Sequence, residues 1–409
     1  MHRRKMQAAV VLLAASTLAL SACGSKSTDN SGGGGSGSSA GAGNLTIKSV
    51  VQIDSAGKEV PVDATKTPVD PAGNGQAKCS GVKLAFAGAK TGANAALGIN
   101  IINGAKVALD AHNKKNPGCQ VTVAEFDTEG DPQKATQVAP QIINDPTIIG
   151  LLGPAFSGET KATGGTFNQA GLLSATASAT NVALTTNGWK TFFRGLANDG
   201  IQGPADAKYA TDSLKYKKVC VVQDDSDYGV GLAKTVNAAL GSVADSKCAA
   251  NVKTGDKDFS STVSSIKGES PDAIFYAGYF AEAAPFAAQL RSAGVTAAFV
   301  SADGVNDPQF VKQAGSAAKD AVLSCPCGPA PASFASAYKA LNNADPGVYS
   351  TEGYDLMTIM LKAVDSGVTT RPAMVDYFKK YDGDGLARHY KWDDKGELAQ
   401  ALIWIYKVQ

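Results

Sequence analysis

The sequence predicts an α/β protein made of two doubly wound parallel-sheet lobes. From Val82 onward, short apolar segments of strand length alternate with longer segments of helical periodicity. The alternation runs in two series that are separated near Gly200. Because strands joined through helices of this length pair in parallel and are covered on both faces, each series predicts its own open sheet.

The first series predicts one lobe. Its strands are expected at 82–88, 120–128, 147–153 and 172–176, and its helices at 98–115, 131–145 and 157–171. Asp131 followed by Pro132 is typical of an N-cap and a first helical residue. The apolar face of the first helix, which we expect to be buried, consists of Ile99, Ile102, Ala105 and Leu109.

The second series predicts the other lobe. Its helices are expected at 201–214, 228–241, 258–268 and 281–294, and its strands at 217–225, 248–254, 272–278 and 296–302. The apolar face of its second helix consists of Val230, Ala233, Val236 and Leu240. The last part of the chain adds helices at 331–343, 349–364 and 371–381 and strand-like segments at 388–392 and 401–408. Residues 44–78 fit either an extended arm or a small hairpin.

The N-terminus has the pattern of an export signal. A basic segment, His2 to Lys5, precedes an uncharged apolar run from Met6 to Leu20. The run ends in Leu20 to Cys23, which resembles a bacterial lipobox, so we expect cleavage after residue 22 and lipidation of Cys23. A plain signal peptide with an incidental cysteine is the alternative. The Gly/Ser-rich residues that follow have few apolar side chains to bury, which predicts a flexible tether between anchor and lobes.

Composition narrows the class of function. Charged residues make up 18% of the chain and the formal net charge is +1, with Lys and Arg scattered along the sequence. There is no basic stripe of the kind that binds nucleic acid. Without the signal peptide and tether, roughly 330–350 residues remain, which is about two domains.

Six cysteines besides Cys23 suit an exported, disulfide-bonded protein. Six cysteines allow 15 pairings, so the sequence does not fix one. We expect Cys79–Cys119 and Cys220–Cys248, because the members of each pair flank successive strands. Cys325–Cys327 would be a tight third pair, although a bridge across one proline must be strained. A metal site is the alternative there, but two cysteines without a nearby histidine make a poor zinc site.

Two loops carry small hydroxyl and backbone groups at the carboxyl ends of predicted strands. They are "GPAFSG" (153–158), in which we expect Ser157 to cap the next helix, and "SATASAT" (174–180). Ligands of open α/β sheets bind at these strand ends beside helix N-termini, where N–H groups attract anions. The two loops therefore predict a cradle for a small carboxylate.

From about Val82 to the C-terminus the chain resembles the type I periplasmic binding proteins of ABC importers, specifically the leucine/isoleucine/valine-binding proteins. The matching segments occur in the family's order and include "FDTEGDPQKA", "GLLGPAFSG", "LLSATASAT", "VVQDDSDYGVGLA", "YAGY", "SADG" and "WDDKGEL". The resemblance implies the type I fold, with two lobes joined by a three-strand hinge. It also implies a ligand captured by closure of the cleft.

The resemblance implies a site for an amino acid, carried over residue by residue. Ser157 would bind the ligand carboxylate, Thr180 would hold the ligand through its hydroxyl and backbone, and the Ser178 carbonyl would accept from the ammonium. Asp303 would pair with that ammonium, and Tyr228 and Tyr279 would close over the ligand from the second lobe. Asp303 is shorter than the family's usual Glu, and Leu97 stands where an aromatic is common. Both departures affect which ligand, judged by its own side chain, the site would accept.

The same resemblance divides the chain. Residues 1–22 would be the signal peptide and 23–78 the tether and arm. Lobe 1 would comprise 79–198 and 326–400, and lobe 2 would comprise 199–325 and 401–409. Hinge crossings are expected near Leu196–Gly200, Leu323–Pro326 and Ala399–Trp404.

The predicted function is that of a lipid-anchored, extracytoplasmic, monomeric binding protein that delivers a small aliphatic amino acid to an ABC permease and its ATPase. No cofactor or metal is expected. One rival is a binder of amides, urea or aromatic acids, and a second is a ligand-sensing receptor subunit. An enzyme is the third, but none of His2, His112 and His389 is placed to activate Ser157.

Overall fold

The computed structural model describes residues 45–409. The predicted signal peptide, Cys23 and the Gly/Ser segment up to residue 44 lie outside the described residues. Among residues 45–409, no helix combines the length and the apolar character that a membrane crossing requires.

Lobe 1 contains a five-stranded sheet in which all strands are parallel. The order is β3-β2-β4-β5-β6, with β2 Lys83–Gly88, β3 Thr122–Asp127, β4 Ile148–Leu152, β5 Leu173–Thr176 and β6 Phe192–Arg194. Every residue of β4 is buried, as expected for a parallel strand with helices on both faces. Its helices are α1 Ala95–Lys115, α2 Pro132–Asn144, α3 Ser157–Gln169, α9 Ala332–Asn342, α10 Ser350–Asp365 and α11 Arg371–Lys380.

Lobe 2 contains a seven-stranded sheet of order β1-β14-β11-β10-β9-β7-β8. Its strands are β1 Ile47–Ile53, β7 Val219–Gln223, β8 Ala250–Asn251, β9 Ala273–Ala277, β10 Ala298–Ser301, β11 Val322–Cys325 and β14 Ile403–Val408. Only the pairings that involve β14 are antiparallel. Its helices are α4 Asp199–Lys208, α5 Asp227–Leu240, α6 Ser260–Glu269, α7 Phe280–Ser292 and α8 Pro308–Ala314. A small pair, β12 Asp382–Asp384 and β13 His389–Lys391, lies against α10 of lobe 1.

The chain passes between the lobes in three places after β2. It crosses from β6 to α4, from β11 to α9, and from the segment after β13 to β14. The predicted fold class, two doubly wound lobes joined by a three-strand hinge, is confirmed.

Several details differ from the sequence predictions. Strands β1, β6, β11 and β12 and helix α8 were not predicted, because each is short or lacks a clear apolar period. Ile99 and Val230, which were expected on buried helix faces, are 36% and 45% exposed. In α1, Ile102 and Ala105 are buried as predicted, but the buried face also includes Ile101 and Ala108, since α10 packs against that side of the helix.

The unassigned N-terminal segment contains β1, an added strand of the lobe 2 sheet. It pairs with β14 from Ile47 opposite Val408 to Ile53 opposite Ile403. The chain then turns at residues 54–58 and reaches lobe 1 without forming a further helix or strand. Both predicted forms are present: residues 47–60 include a small hairpin with its turn at 54–58, and the residues that follow form an arm.

The structure joins all six cysteines outside the signal region into three disulfides. They are Cys79–Cys119, Cys220–Cys248 and Cys325–Cys327. The first ties the end of the arm to lobe 1, and the second joins β7 to the segment before β8. The third lies at the crossing after β11. Cys325 and Cys327 are therefore not available as metal ligands.

Candidate functional site

The lobe 1 side of the site is built by the loops that follow β4 and β5. These strands are neighbours in the sheet, so their carboxyl ends bring Ser157 and Ser178 together. The Ser178 hydroxyl donates to the Ala155 carbonyl at 2.5 Å, and the Asn181 N–H donates to Ser157 Oγ at 3.2 Å. These bonds fix the two loops to each other.

Ser157 is not the helix cap that the sequence analysis expects. Phe156 is the N-cap and Ser157 is the first helical residue, so its hydroxyl is turned toward the neighbouring loop. The carboxylate of Glu159 supplies the capping bond, accepting from the Phe156 N–H at 3.1 Å. Burial raises the pKa of Glu159 to about 7. The N-terminus of α3 therefore carries Ser157 at its tip, and its positive dipole end lies at the cavity.

The lobe 2 side of the site consists of Tyr228, Tyr279 and Asp303. Tyr228 lies at the start of α5, Tyr279 directly precedes α7, and Asp303 follows β10. The Tyr228 hydroxyl donates to Asp303 Oδ1 at 2.8 Å, and the two tyrosine rings lie 5.1 Å apart. Gly304 permits this arrangement, because a Cβ there would lie 2.6 Å from the Gly278 carbonyl oxygen and 2.8 Å from the Tyr228 ring.

Tyr349 completes the site from lobe 1, although it was not predicted from the sequence. Its hydroxyl donates to Asp303 Oδ2 at 2.5 Å across the cleft, and its backbone has the left-handed φ of 66°. The residue directly precedes α10. No local sequence signal marks Tyr349, because its contact with Asp303 depends on how the two lobes face each other.

Asp303 is fully enclosed by these groups, with 1% of its surface exposed. Burial raises the pKa of the Asp303 carboxyl above its ordinary value, and the hydrogen bonds from Tyr349 and Tyr228 oppose that shift. A cationic group brought next to Asp303 would favour the ionised form further. The arrangement therefore suits recognition of an ammonium group.

A small cavity separates the two sides. It is lined by Leu97, Ala155, Phe156, Ser157, Ser178, Tyr228, Tyr279, Asp303 and Tyr349. Its volume is about 10 Å³, close to the room that one water molecule needs. Entry of an amino acid would therefore require side chains or whole lobes to move apart.

Thr180 is the one predicted ligand residue that does not line this cavity. It is fully buried, and its hydroxyl has no hydrogen-bond partner among residues 45–409. Its backbone carbonyl accepts from the Asp199 N–H at 2.9 Å, at the first crossing between the lobes. The hydroxyl faces the Asp199 carboxyl, and this interaction lowers the pKa of Asp199 against the larger effect of burial.

The comparisons with known proteins agree with this architecture. The model of the periplasmic binding protein family matches residues 81–409. The chain belongs to the periplasmic binding protein family. The match begins after the N-terminal arm and includes both lobes and the whole candidate site.

The relatives of this binding protein include amino-acid binders. The Leu/Ile/Val-binding protein of Escherichia coli (strain K12) is 30% identical over 332 residues, which are 78% of this chain and 88% of that protein. The leucine-specific-binding protein of Salmonella typhimurium is 29% identical over 325 residues, with the same coverage. A solved structure of the branched-chain amino acid transporter substrate-binding protein LivJ from Streptococcus pneumoniae, in complex with isoleucine, is 28% identical with a TM-score of 0.73. It covers 79% of this chain and 95% of that one.

Behind the site, buried carboxyl groups line the hinge of this binding protein. Asp199 and Asp206 lie on α4, and the Ser324 hydroxyl donates to Asp206 Oδ2 at 2.8 Å. Burial raises the pKa of Asp199 to about 8, and the nearby Asp303 charge adds to that shift. Near neutral pH, Asp199 is therefore largely protonated.

One group of side chains has the spacing of a metal site. The candidate ligand atoms of His112, Cys119 and Asp365 lie within 4.8 Å of one another. However, Cys119 is bonded to Cys79, and His112 is paired with Asp365 at 2.8 Å. The group therefore fixes the end of the arm on α1 and α10, and its thiol is not free to bind a metal.

Proposed function

We propose that this chain is the extracytoplasmic substrate-binding protein of an ABC importer and that it captures a small aliphatic amino acid. The supporting observation is that the α3 N-terminus with Ser157 and the Asp303 carboxylate meet in one cavity from opposite lobes. A zwitterion needs donors at one end and an acidic acceptor at the other, and charge-assisted bonds of this kind are strong. The relatives' ligands support the same class.

Binding and closure would be coupled in this proposal. Ser157 and Ser178 belong to lobe 1, whereas Tyr228, Tyr279 and Asp303 belong to lobe 2. A ligand that contacts both sets favours the closed arrangement by its affinity for that state. The closed form would then be presented to the permease and its ATPase, and the protein itself would carry out no reaction.

The membrane attachment is part of the proposal. Lipidation of Cys23 would hold a monomeric protein at the outer face of the membrane, with residues 24–44 as the tether. Replacing Cys23 with Ser should prevent incorporation of labelled palmitate into the protein, as measured by electrophoresis of labelled cells. Equal labelling of that variant and the unaltered protein would contradict the anchor.

A thermal-shift screen tests the ligand class. Leucine, isoleucine, valine and alanine would be compared with acetamide, urea and benzoate. A ligand at 100 times its Kd should stabilise the protein by about 2.7 kcal/mol. Stabilisation by the amides, urea or benzoate alone would favour the rival binder over the amino-acid site. Stabilisation by none of these ligands would contradict the proposed class of ligand.

Asp303→Asn tests the site. The substitution keeps the shape of the side chain but removes the charge opposite the ammonium, so leucine affinity should fall by about 2–5 kcal/mol, or at least 30-fold. Isothermal titration would measure it. Asp376→Asn, on the exposed face of α11, is the control and should bind as the unaltered protein does. Equal affinity of the two variants would contradict the assignment of Asp303.

A further inference from the structure

The N-terminal arm, residues 45–79, is bonded to both lobes. Its first part belongs to lobe 2, since β1 pairs with β14 along its length and Thr46 exchanges backbone hydrogen bonds with Gln409. Ile53, at the end of β1, is fully buried in a cluster with Ala197 and Ile403. Those two residues lie beside two of the three hinge crossings, so the arm leaves lobe 2 at the hinge.

The second part of the arm belongs to lobe 1. The N–H groups of Thr67 and Val69 donate to the side chain and carbonyl of Asp384 at 3.0 and 2.9 Å. Asn116, at the end of α1, donates to the Ala72 carbonyl at 2.9 Å. The Cys79–Cys119 disulfide then fixes the arm to lobe 1 covalently.

Only a short span of the arm lies free between these attachments. Val60 is the last residue bonded to the β1 part of the arm, donating to the Gln52 carbonyl at 2.8 Å, and Thr67 is the first whose backbone is bonded to lobe 1, donating to Asp384 Oδ2 at 3.0 Å. Residues 61–65 between them are exposed. Seven residue steps reach at most about 23–25 Å when fully extended.

We propose that this arm is a fourth link between the lobes and that it limits how far the cleft opens. The three crossings of the matched family region leave a hinge motion available. A fourth connection of fixed maximum length, anchored by strand β1 on lobe 2 and by residues 67–72 on lobe 1, restricts that motion. Because the family match begins at residue 81, the restriction is an addition that lies outside the matched region.

Lengthening the free span tests this proposal without any ligand. About ten Gly/Ser residues inserted between Asp63 and Ala64 would add about 17 Å of mean reach. The control carries the same insertion between Thr369 and Thr370, an exposed loop that stays within lobe 1. We expect small-angle scattering of the full chain to give a larger radius of gyration for the arm insertion than for the control.

A second variant breaks the free span instead of lengthening it. A short protease site between Asp63 and Ala64, cleaved after the protein has folded, should shift the radius of gyration in the same direction, with the fold checked by circular dichroism. If the arm insertion does not fold, this variant decides the question. A radius equal to that of the matched control in the folded variants would overturn the proposal. The amino-acid proposal would be untouched, because no ligand enters the measurement.

Discussion

At the scale of single residues, the site is defined by the Asp303 carboxylate and by the aromatic rings around it. Asp303 reaches Tyr228 on its own lobe and Tyr349 on the other, so one carboxylate has a partner on each side of the cleft. Four aromatic rings, from Phe156, Tyr228, Tyr279 and Tyr349, leave little room beside it. These rings, more than the polar groups, should set which side chain fits.

Tyr349→Ala should therefore widen the specificity toward larger ligands. Removing the ring enlarges the cavity, and each additional buried CH₂ group contributes about 0.8 kcal/mol. The affinity ratio of leucine to alanine should rise about tenfold, as measured by titration. Tyr349→Phe is the matched control, because it keeps the ring and should leave the ratio unchanged. A ratio that changes equally in both variants would mean that the hydroxyl, and not the ring volume, sets specificity.

Asp199 should make stability depend on pH. Its pKa rises from 3.8 in the unfolded chain to about 8 in the folded protein, mainly by burial. The unfolded chain therefore loses the proton first, and the free energy of unfolding should fall as pH rises from about 4 to about 8. Asp199→Asn removes this titration and should flatten the pH dependence by a few kcal/mol.

Urea unfolding at pH 5 and pH 8 would measure the effect. Some slope should remain in the variant, because burial also raises the pKa of Glu159 and Asp355 to about 7. Asp212→Asn, at an exposed position after α4, is the control. If Asp199→Asn kept the full slope of the unaltered protein, the titrating group would lie elsewhere.

At the scale of elements, the contact between α1 and α10 positions the cavity wall. Gly104 and Gly353 let the helices approach closely: a Cβ on Gly104 would lie within 2 Å of the Ser350 carbonyl oxygen, and one on Gly353 would lie 2.4 Å from the Ile101 carbonyl oxygen. Ser350 follows Tyr349, so the helix contact also fixes the residue that reaches Asp303. The small size of Gly104 therefore helps to set the position of Tyr349, which lines the cavity.

Gly104→Ala should destabilise the protein by about 1–3 kcal/mol, because the two helices must separate to admit the methyl group. Gly268→Ala is the matched control in α6, where no atom lies within 4 Å of the added Cβ. That change should stabilise the protein by up to about 1 kcal/mol through helix propensity. Urea unfolding compares the two, and a stabilising Gly104→Ala would contradict the close approach of α1 and α10.

At the scale of the whole molecule, the closed arrangement is held by a few bonds that cross the cleft. Asn100 of α1 donates to Asp307 Oδ2 at 2.9 Å, and Lys161 of α3 pairs with Asp227 of α5 at 2.6 Å. Asp307 is buried with 2% of its surface exposed, whereas the Lys161 side chain is 62% exposed. The two contacts should therefore differ in strength.

Asn100→Ala should weaken ligand binding more than Lys161→Ala does. The first leaves a buried carboxylate oxygen without its partner and costs the closed state about 1–3 kcal/mol. The second removes a solvent-exposed ion pair, whose contribution is about 0–1 kcal/mol and falls with added salt. Leucine titrations at low and high salt would separate them. An equal loss in both variants would mean that closure does not depend on burial of the contact.

The fold class and the two series of strands and helices were predicted from the sequence alone, and so were most of the residues that line the candidate site. Apolar period and strand–helix alternation are local properties, so they can be read along the chain. Ser157, Ser178, Tyr228, Tyr279 and Asp303 follow strand ends or open helices, and the structure brings all five to one cavity. Their roles in binding stay predictions until a ligand is measured.

Contacts between segments that are distant in the sequence could not be predicted and became visible in the folded protein. Tyr349 reaches Asp303 because α10 packs on α1 and the lobes face each other, and no local pattern encodes that contact. Ile99 and Val230 satisfy a helical apolar period, yet they are exposed because the neighbouring elements cover a different face. The arm shows the same limit: β1 is a strand because β14 supplies its hydrogen-bond partners from the opposite end of the chain.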